Sequence, residues 1–166
     1  MNETWIVVAD SDRARLFALS PDGRGLEEIE DLVNPEGRTP GRELVSDRPQ
    51  RTFESSNSAR HAMEPTTSPQ EHAAEQFARQ IAAELDHGLA EHRYEHLVLV
   101  APPAFLGALH RIGDHHAWHE LIAAELDKNL TKQDAAQIRA HLPERLPSAA
   151  RARMRAQPGR ALGNGT

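Results

Sequence analysis

The stretch WIVVA at residues 5–9 decides the fold class, because it is a short, continuous and mostly β-branched apolar run. The polar turn DSD at residues 10–12 follows it directly. This pattern is typical of a strand buried on both faces of a sheet. We therefore expect a first strand here, inside an α/β domain.

The next two segments predict strands that continue from the first as a meander. Residues 13–19 alternate in polarity and end at the turn PDG at 21–23, and residues 26–33 precede the turn NPEG at 34–37. Three strands joined by short turns are therefore expected before any helix.

The second half of the chain predicts helices alternating with strands. Apolar residues recur at three- and four-residue spacing over 71–89, which predicts an amphipathic helix capped near Ser68. A buried strand is expected at 96–101, and the following Pro-Pro pair precedes a helix from residue 104. A strand followed by a helix indicates an α/β topology in which helices connect parallel strands.

The segment after residue 117 predicts three further elements. Residues 118–127 are expected to hold a short helix and then a strand at 122–126. Thr131 is expected to cap a last helix, which carries an apolar stripe at positions 135, 138 and 142.

The length and the composition of the chain exclude several classes of protein. A chain of 166 residues suits one domain, and the absence of Cys excludes disulfides, thiol catalysis and thiolate metal sites. The first residues carry no positive n-region, and no segment approaches the ~20 apolar residues that span a bilayer. We therefore expect a cytoplasmic protein with no membrane segment.

The net charge of −6 is distributed unevenly. Residues 1–142 contain 14 Lys and Arg against 24 Asp and Glu, a net −10, whereas residues 143–166 contain five Arg against one Glu, a net +4. An acidic body argues against broad electrostatic binding to nucleic acid, so such a contact must be local. We expect a folded domain over 1–142 and a flexible basic tail over 143–166. The tail has three possible roles: a solvated linker, a segment that contacts RNA, or a segment that binds the acidic body.

Five segments, taken in order, resemble the host attachment protein family. They are WIVVAD at 5–10 with RARLF at 13–17, RELVSDRP at 42–49, RHA at 60–62, LVLVAPP at 97–103 with FLG at 105–107, and DKNLT at 127–131. The resemblance covers residues 4–142 and implies a bacterial protein.

Members of this family in turn resemble the middle domain of archaeal and eukaryotic peptide-chain release factors. The resemblance implies an RNase H-like three-layer α/β fold, in which a mixed sheet of about five strands, a meander of three and then α/β units, carries packed helices. Release factors have a Gly-Gly-Gln tripeptide in the long loop after the meander. This chain has no Gly-Gly step and carries PQR at 49–51, so release-factor-type hydrolysis is not expected.

The segment 38–70 predicts a long loop, because it contains four prolines and almost no periodic hydrophobicity. Between residues 38 and 61 its arginines outnumber its carboxylates, and Arg suits bidentate contact with phosphate. The alternative is that these arginines pair with nearby Asp and Glu, or with a second copy of the chain. The candidate ligand- or RNA-binding residues are Arg38, Arg42, Arg48, Arg51, Arg60 and His61.

Asp10 is the candidate for catalysis, because carboxylates at strand ends hold divalent ions in nucleases of RNase H-like fold. Such sites need several converging carboxylates, and the sequence places none beside Asp10 and Asp12. A turn-forming role for Asp10 is therefore favoured.

The run DHHAWHE at 114–120 contains the candidate metal ligands. His115 and His119 are four residues apart, so on a helix they would share a face and could bind zinc. The His-Glu-x-x-His pattern is absent and no third ligand is identified, so exposed or interfacial histidines are favoured. No serine elbow, P-loop or dinucleotide fingerprint occurs, and no metal or cofactor is expected.

These observations favour a non-catalytic module that binds RNA or the ribosome and affects host attachment indirectly. Two alternatives belong to other classes: a hydrolase acting on RNA or peptidyl-tRNA, and a regulatory protein–protein interaction module. A homo-oligomer is left open.

Overall fold

A computed structural model of the chain describes residues 3–38 and 68–148. Its strands lie across the sheet in the order β3-β2-β1-β4-β5. The meander strands pair antiparallel, and β4 pairs parallel with both β1 and β5. This is the RNase H-like α/β arrangement that the sequence predicts. The strands are β1 Thr4–Ala9, β2 Arg13–Leu19, β3 Leu26–Val33, β4 His96–Val100 and β5 Ile122–Leu126.

Helices connect the strands in the second half of the chain. The cap expected near Ser68 is confirmed, since the Ser68 side chain accepts a hydrogen bond from the backbone N–H of Glu71. The predicted short helix and strand within 118–127 are also confirmed. The described helices are α1 Pro69–Ala90, α2 Pro103–Gly113, α3 Ala135–His141, and two 3-10 helices, Pro35–Arg38 and Ala117–Leu121.

The cap predicted for the last helix is wrong. The N-cap of α3 is Asp134, whose side chain accepts from the backbone N–H of Gln137, while the Gln137 side chain accepts from the backbone N–H of Asp134. The hydroxyl of Thr131 instead donates to Asp10. Thr131 therefore holds the loop before the helix and not the helix itself.

The sheet has an apolar layer on each face, because consecutive side chains of β1 point to opposite sides. Trp5 and Val7 pack with the buried stripes of α1 and α2. Ile6 and Val8 pack on the other face with Ile138 and a few residues around α3. The domain is therefore three-layered, as predicted.

Packing continues beyond residue 142, where the expected domain boundary lies. Leu146 is buried in the second apolar layer, and the hydroxyl of Thr4 donates to the carbonyl of Pro147. Leu146 adds apolar area to that layer, which gives residues 143–148 a physical reason to stay on the body. The rest of the predicted tail, 149–166, lies outside the described residues.

Within residues 3–38 and 68–148, no helix combines the length and the apolar character needed to cross a bilayer.

Candidate functional site

The carboxyl ends of the three parallel strands β1, β4 and β5 lie at one edge of the sheet, which we call the carboxyl edge. The antiparallel strand β2 begins at this edge and β3 ends there. Ligands of open α/β sheets bind outside this edge, where neighbouring connections diverge. The connections after β1 and β4 do diverge, since one leads to β2 and the other to α2.

Asp10 organises the carboxyl edge. One carboxylate oxygen accepts from the backbone N–H of Asp12 and Arg13 at 2.8 and 2.9 Å, which is the turn-forming role expected from the sequence. The other oxygen accepts from Asn129 Nδ2 at 3.0 Å and from Thr131 Oγ1 at 3.1 Å. Both oxygens are thus engaged by donors of the chain itself.

Arg15 holds the same loop from the neighbouring strand β2. Its guanidinium donates to the backbone carbonyls of Thr131 and Gln133, and it pairs with Glu28 of β3 at 2.9 Å. The bridge links β3, β2 and the 127–134 loop, which therefore has a defined position at the carboxyl edge.

A cleft of about 540 Å³ opens beside Asp10. Its apolar wall includes Phe105 of α2, and its polar lining includes Asp12, Glu71 and Arg111. Arg111 lies 3.6 Å from Glu75, so part of its charge is offset. Among the described residues of this lining, carboxylates outnumber cations, and this part of the cleft suits a cationic group better than a phosphate.

The described residues on either side of the segment with the candidate arginines lie at the carboxyl edge. Asn34, just before the first 3-10 helix, donates from its backbone N–H to the carbonyl of Asp12 and from Nδ2 to the carbonyl of Ser11, both at 2.8 Å. Arg38 ends that 3-10 helix, and Ser68 begins α1, whose Glu71 lines the cleft. The other candidates lie outside the described residues: Arg42, Arg48, Arg51, Arg60 and His61.

Two basic residues at this edge are absent from the sequence-based candidates. Lys128 and Lys132 are the two lysines of the chain, and both are exposed on the 127–134 loop. Neither forms an ion pair with another described residue. The DKNLT segment, which resembles the host attachment family, contains Lys128, so the sequence could have identified this lysine as a candidate.

The candidate histidines do not share a helix face. His115 lies in a turn after α2, whereas His119 belongs to the second 3-10 helix. His119 instead contacts His110 of α2, with His110 Nδ1 and His119 Nε2 2.9 Å apart. In the described part of the chain, no group of three or more His, Cys, Asp or Glu side chains is placed to hold a metal ion.

Some solved structures are similar to this chain at low sequence identity. An archaeal translation termination factor is 11% identical, with a TM-score of 0.46 and coverage of 99% of this chain and 41% of that one. The Ppx/GppA phosphatase of Aquifex aeolicus is 14% identical, with a TM-score of 0.40 and coverage of 76% and 35%. This chain thus spans about two fifths or less of their lengths, and no function is taken from them.

Sequence comparison identifies the family. No curated protein matches the chain. The family model described as "Protein required for attachment to host cells" matches residues 5–142, the range over which the sequence resembled the host attachment family. Because that match spans most of the 166 residues, this chain belongs to the family of proteins required for attachment to host cells.

Proposed function

We propose that this chain is a non-catalytic module of the cytoplasm that binds RNA or a ribonucleoprotein, with the ribosome as the expected partner, and that it affects host attachment indirectly. The contact residues are the arginines of segment 38–61, assisted by Lys128 and Lys132. Arginine and lysine bind phosphate, and their binding supplies most of the affinity of a sequence-independent contact.

The observation that supports the proposal is the position of Lys128 and Lys132 at the same edge of the sheet as the described residues that flank segment 39–67. The described residues on both sides of segment 39–67 lie at the carboxyl edge, and so does the loop with both lysines. Asp10 and Arg15 hold that loop by side-chain hydrogen bonds, so its lysines extend from a fixed base. A phosphate strand along this edge would meet both lysines and would pass the described residues that flank segment 39–67.

Co-sedimentation with ribosomes at low and high salt tests the proposal. The full chain is compared with a variant in which Arg42, Arg48, Arg51 and Arg60 are changed to Ala. We expect salt-sensitive migration of the wild type with the ribosomes and its loss in the variant. Wild-type protein that stays in the light fractions at every salt concentration would rule out the ribosome as the partner.

A second pair of variants tests the contribution of the described loop. Lys128→Ala with Lys132→Ala should weaken binding to single-stranded RNA and reduce the slope of log affinity against log salt by about 1–2. The matched control is Arg24→Ala with Arg79→Ala, which removes the same charge from exposed positions outside the 127–134 loop and segment 38–61. Equal losses in the two double variants would indicate a net-charge effect and not a contact.

The acidic lining of the cleft favours a second candidate function, a protein–protein interaction module. Glu71 would receive a cationic side chain of a protein partner, while Phe105 supplies apolar contact. A stable complex from lysate that survives ribonuclease and is lost in Glu71→Lys supports this candidate and not RNA binding.

The hydrolase alternative would use Asp10, and it has a separate test. Both Asp10 oxygens already accept hydrogen bonds within the chain, so an Asp10-based reaction would have to displace Asn129 or Thr131. Cleavage of RNA or peptidyl-tRNA that is lost on adding chelator and in Asp10→Asn would support that alternative.

A further inference from the structure

Four side chains form a continuous line of contacts between α2, the second 3-10 helix and β5. His110 Nε2 lies 2.8 Å from Glu125 Oε2, and His110 Nδ1 lies 2.9 Å from His119 Nε2. His119 Nδ1 lies 4.0 Å from Asp114 Oδ1. The two rings are nearly perpendicular, at 89°, so the facing nitrogens meet in hydrogen-bonding geometry and the rings do not stack.

The number of protons that this line can hold follows from its chemistry. A carboxylate only accepts, so His110 Nε2 carries a hydrogen toward Glu125. The bare His110 Nδ1 then accepts from His119 Nε2–H, and in the neutral pair His119 Nδ1 is bare. A third ring proton fits at His119 Nδ1, where the charge of Asp114 attracts it. A fourth would require N–H groups on both facing nitrogens, which cannot approach to 2.9 Å.

α2 and the 3-10 helix pack closely beside the two rings, which are themselves about one third exposed. A Cβ at Gly113 would lie 2.8 Å from His119 Cδ2 and 2.6 Å from Trp118 Cη2, so α2 and the 3-10 helix are in direct contact there. Trp118 is fully buried, and its indole Nε1 has no hydrogen-bond partner among the described residues. Loss of the ring-to-ring bond is therefore expected to loosen the contact between α2 and the His119 end of the 3-10 helix.

The remaining groups around the pair keep one end of that helix attached. Asp86 of α1 lies 2.7 Å from His116 Nδ1, and this contact strengthens when His116 is protonated. β4 contributes apolar Leu97 and Leu99 to the same cluster as Trp118. The charged groups facing the pair in the described residues are thus Glu125 and Asp114, with Asp86 at the start of the 3-10 helix.

We propose that His110 and His119 form a proton switch. The pair binds one proton and keeps the hydrogen bond between the two rings, and binding of a second proton breaks that bond. The singly protonated pair holds the 3-10 helix Ala117–Leu121 against α2, because Glu125 and Asp114 flank a single shared cation. The second proton places two N–H groups face to face and releases the His119 end of the helix. The His116–Asp86 contact then acts as the hinge. This inference is independent of RNA binding.

Side-chain ¹⁵N NMR of the full chain tests the bond directly. From about pH 8 to about pH 6, bracketing the ordinary histidine value, we expect a ¹⁵N–¹⁵N coupling between His110 Nδ1 and His119 Nε2 across the hydrogen bond. The coupling should disappear on further acidification, when the second proton binds. Two rings that show no coupling at any pH would overturn the proposal.

Hydrogen exchange tests the release of the helix. Amides of residues 117–121 should lose about tenfold in protection when the second proton binds to the wild type. His119→Gln supplies an amide N–H that can donate to the bare His110 Nδ1 and an amide oxygen that can accept from the protonated Nδ1, so this variant should retain that protection in acid. His115→Gln is the matched control and should behave like the wild type. Equal acid-induced loss of protection in His119→Gln and the wild type would contradict the switch.

Discussion

A hydrogen bond of 3.1 Å joins the Thr131 hydroxyl to the Asp10 carboxylate, across 121 positions of sequence. It connects the end of β1 to the loop after β5, the outermost strand on the other side of β4. The carboxyl edge of the sheet is therefore held together by side chains and not by the strand ladder alone.

Removal of the Asp10 carboxylate should destabilise the domain. Asp10→Ala removes the acceptor of the Asp12 and Arg13 amides and of Asn129 Nδ2, whereas the Thr131 hydroxyl keeps Asn129 Oδ1 as an acceptor at 2.7 Å. We expect a loss of about 2–4 kcal/mol in the free energy of unfolding, measured by urea denaturation. Thr131→Val should cost about 1 kcal/mol. The double variant should be less destabilised than the sum, because the two residues share a bond. Asp127→Ala, an exposed neighbour, is the control and should change stability by less than about 0.5 kcal/mol.

The Arg15 bridge should require a guanidinium. Arg15→Lys keeps the charge but cannot contact Glu28 with two nitrogens and the Thr131 carbonyl with a third. We expect a loss of about 1–2 kcal/mol in unfolding free energy. Arg24→Lys, at an exposed turn, should have no measurable effect. Equal stability of the two variants would mean that the bridge contributes nothing.

Glu30 should make stability depend on pH. Burial, together with the adjacent carboxylate of Glu84, raises the pKa of Glu30 above its ordinary value of 4.5. Its proton therefore contributes stability that is complete below the unfolded-state pKa and is lost as pH rises through the folded-state pKa. Glu84→Gln should weaken this pH dependence and stabilise the protein at neutral pH by up to about 1 kcal/mol.

The measurement for this pair is unfolding free energy at several pH values from about 4 to about 7. Glu27→Gln, on the same strand and exposed, is the control that removes a charge without touching Glu84. If Glu84→Gln and Glu27→Gln give the same pH profile, the coupling of Glu30 to Glu84 is absent.

Two glycines inside helices should respond in opposite directions to alanine. A Cβ at Gly88 in α1 would lie 2.5 Å from Trp5 Cη2, within the stacked Trp5–Tyr94 pair, so Gly88→Ala should cost about 1–3 kcal/mol. A Cβ at Gly107 in α2 would meet no atom closer than 3.6 Å, so Gly107→Ala should stabilise by about 0.5–1 kcal/mol. Thermal unfolding of both variants measures the contrast, and destabilisation by Gly107→Ala would contradict it.

Local periodicity was sufficient for most of the secondary structure. The runs at 5–9, 13–19 and 26–33 predicted the three meander strands, and the apolar spacing over 71–89 predicted α1. These patterns arise from side chains a few positions apart that face the same layer, so the chain itself contains the information. The RNase H-like topology came from the family resemblance, which the family model confirms over residues 5–142.

The arrangement of side chains at the carboxyl edge was not available from the sequence. Thr131 resembled a helix cap because its type and its position before an apolar stripe fit that role, but Asp134 lies closer to the helix and forms the capping box. The four-residue spacing suggested that His115 and His119 share one face of a helix. The chain instead turns after α2, and His119 contacts His110.

The sequence by itself determined the strands, the main helix, the absence of cysteine chemistry and the placement of charge along the chain. Only the tertiary structure decided which donors Asp10 binds, which nitrogen of His110 faces His119, and that both lysines lie beside Asp10. The physical reason is that each polar group satisfies its hydrogen bonds with whatever the strand order brings within about 3 Å. That order is set by burying two apolar faces of one sheet, a property of the whole chain and not of any segment.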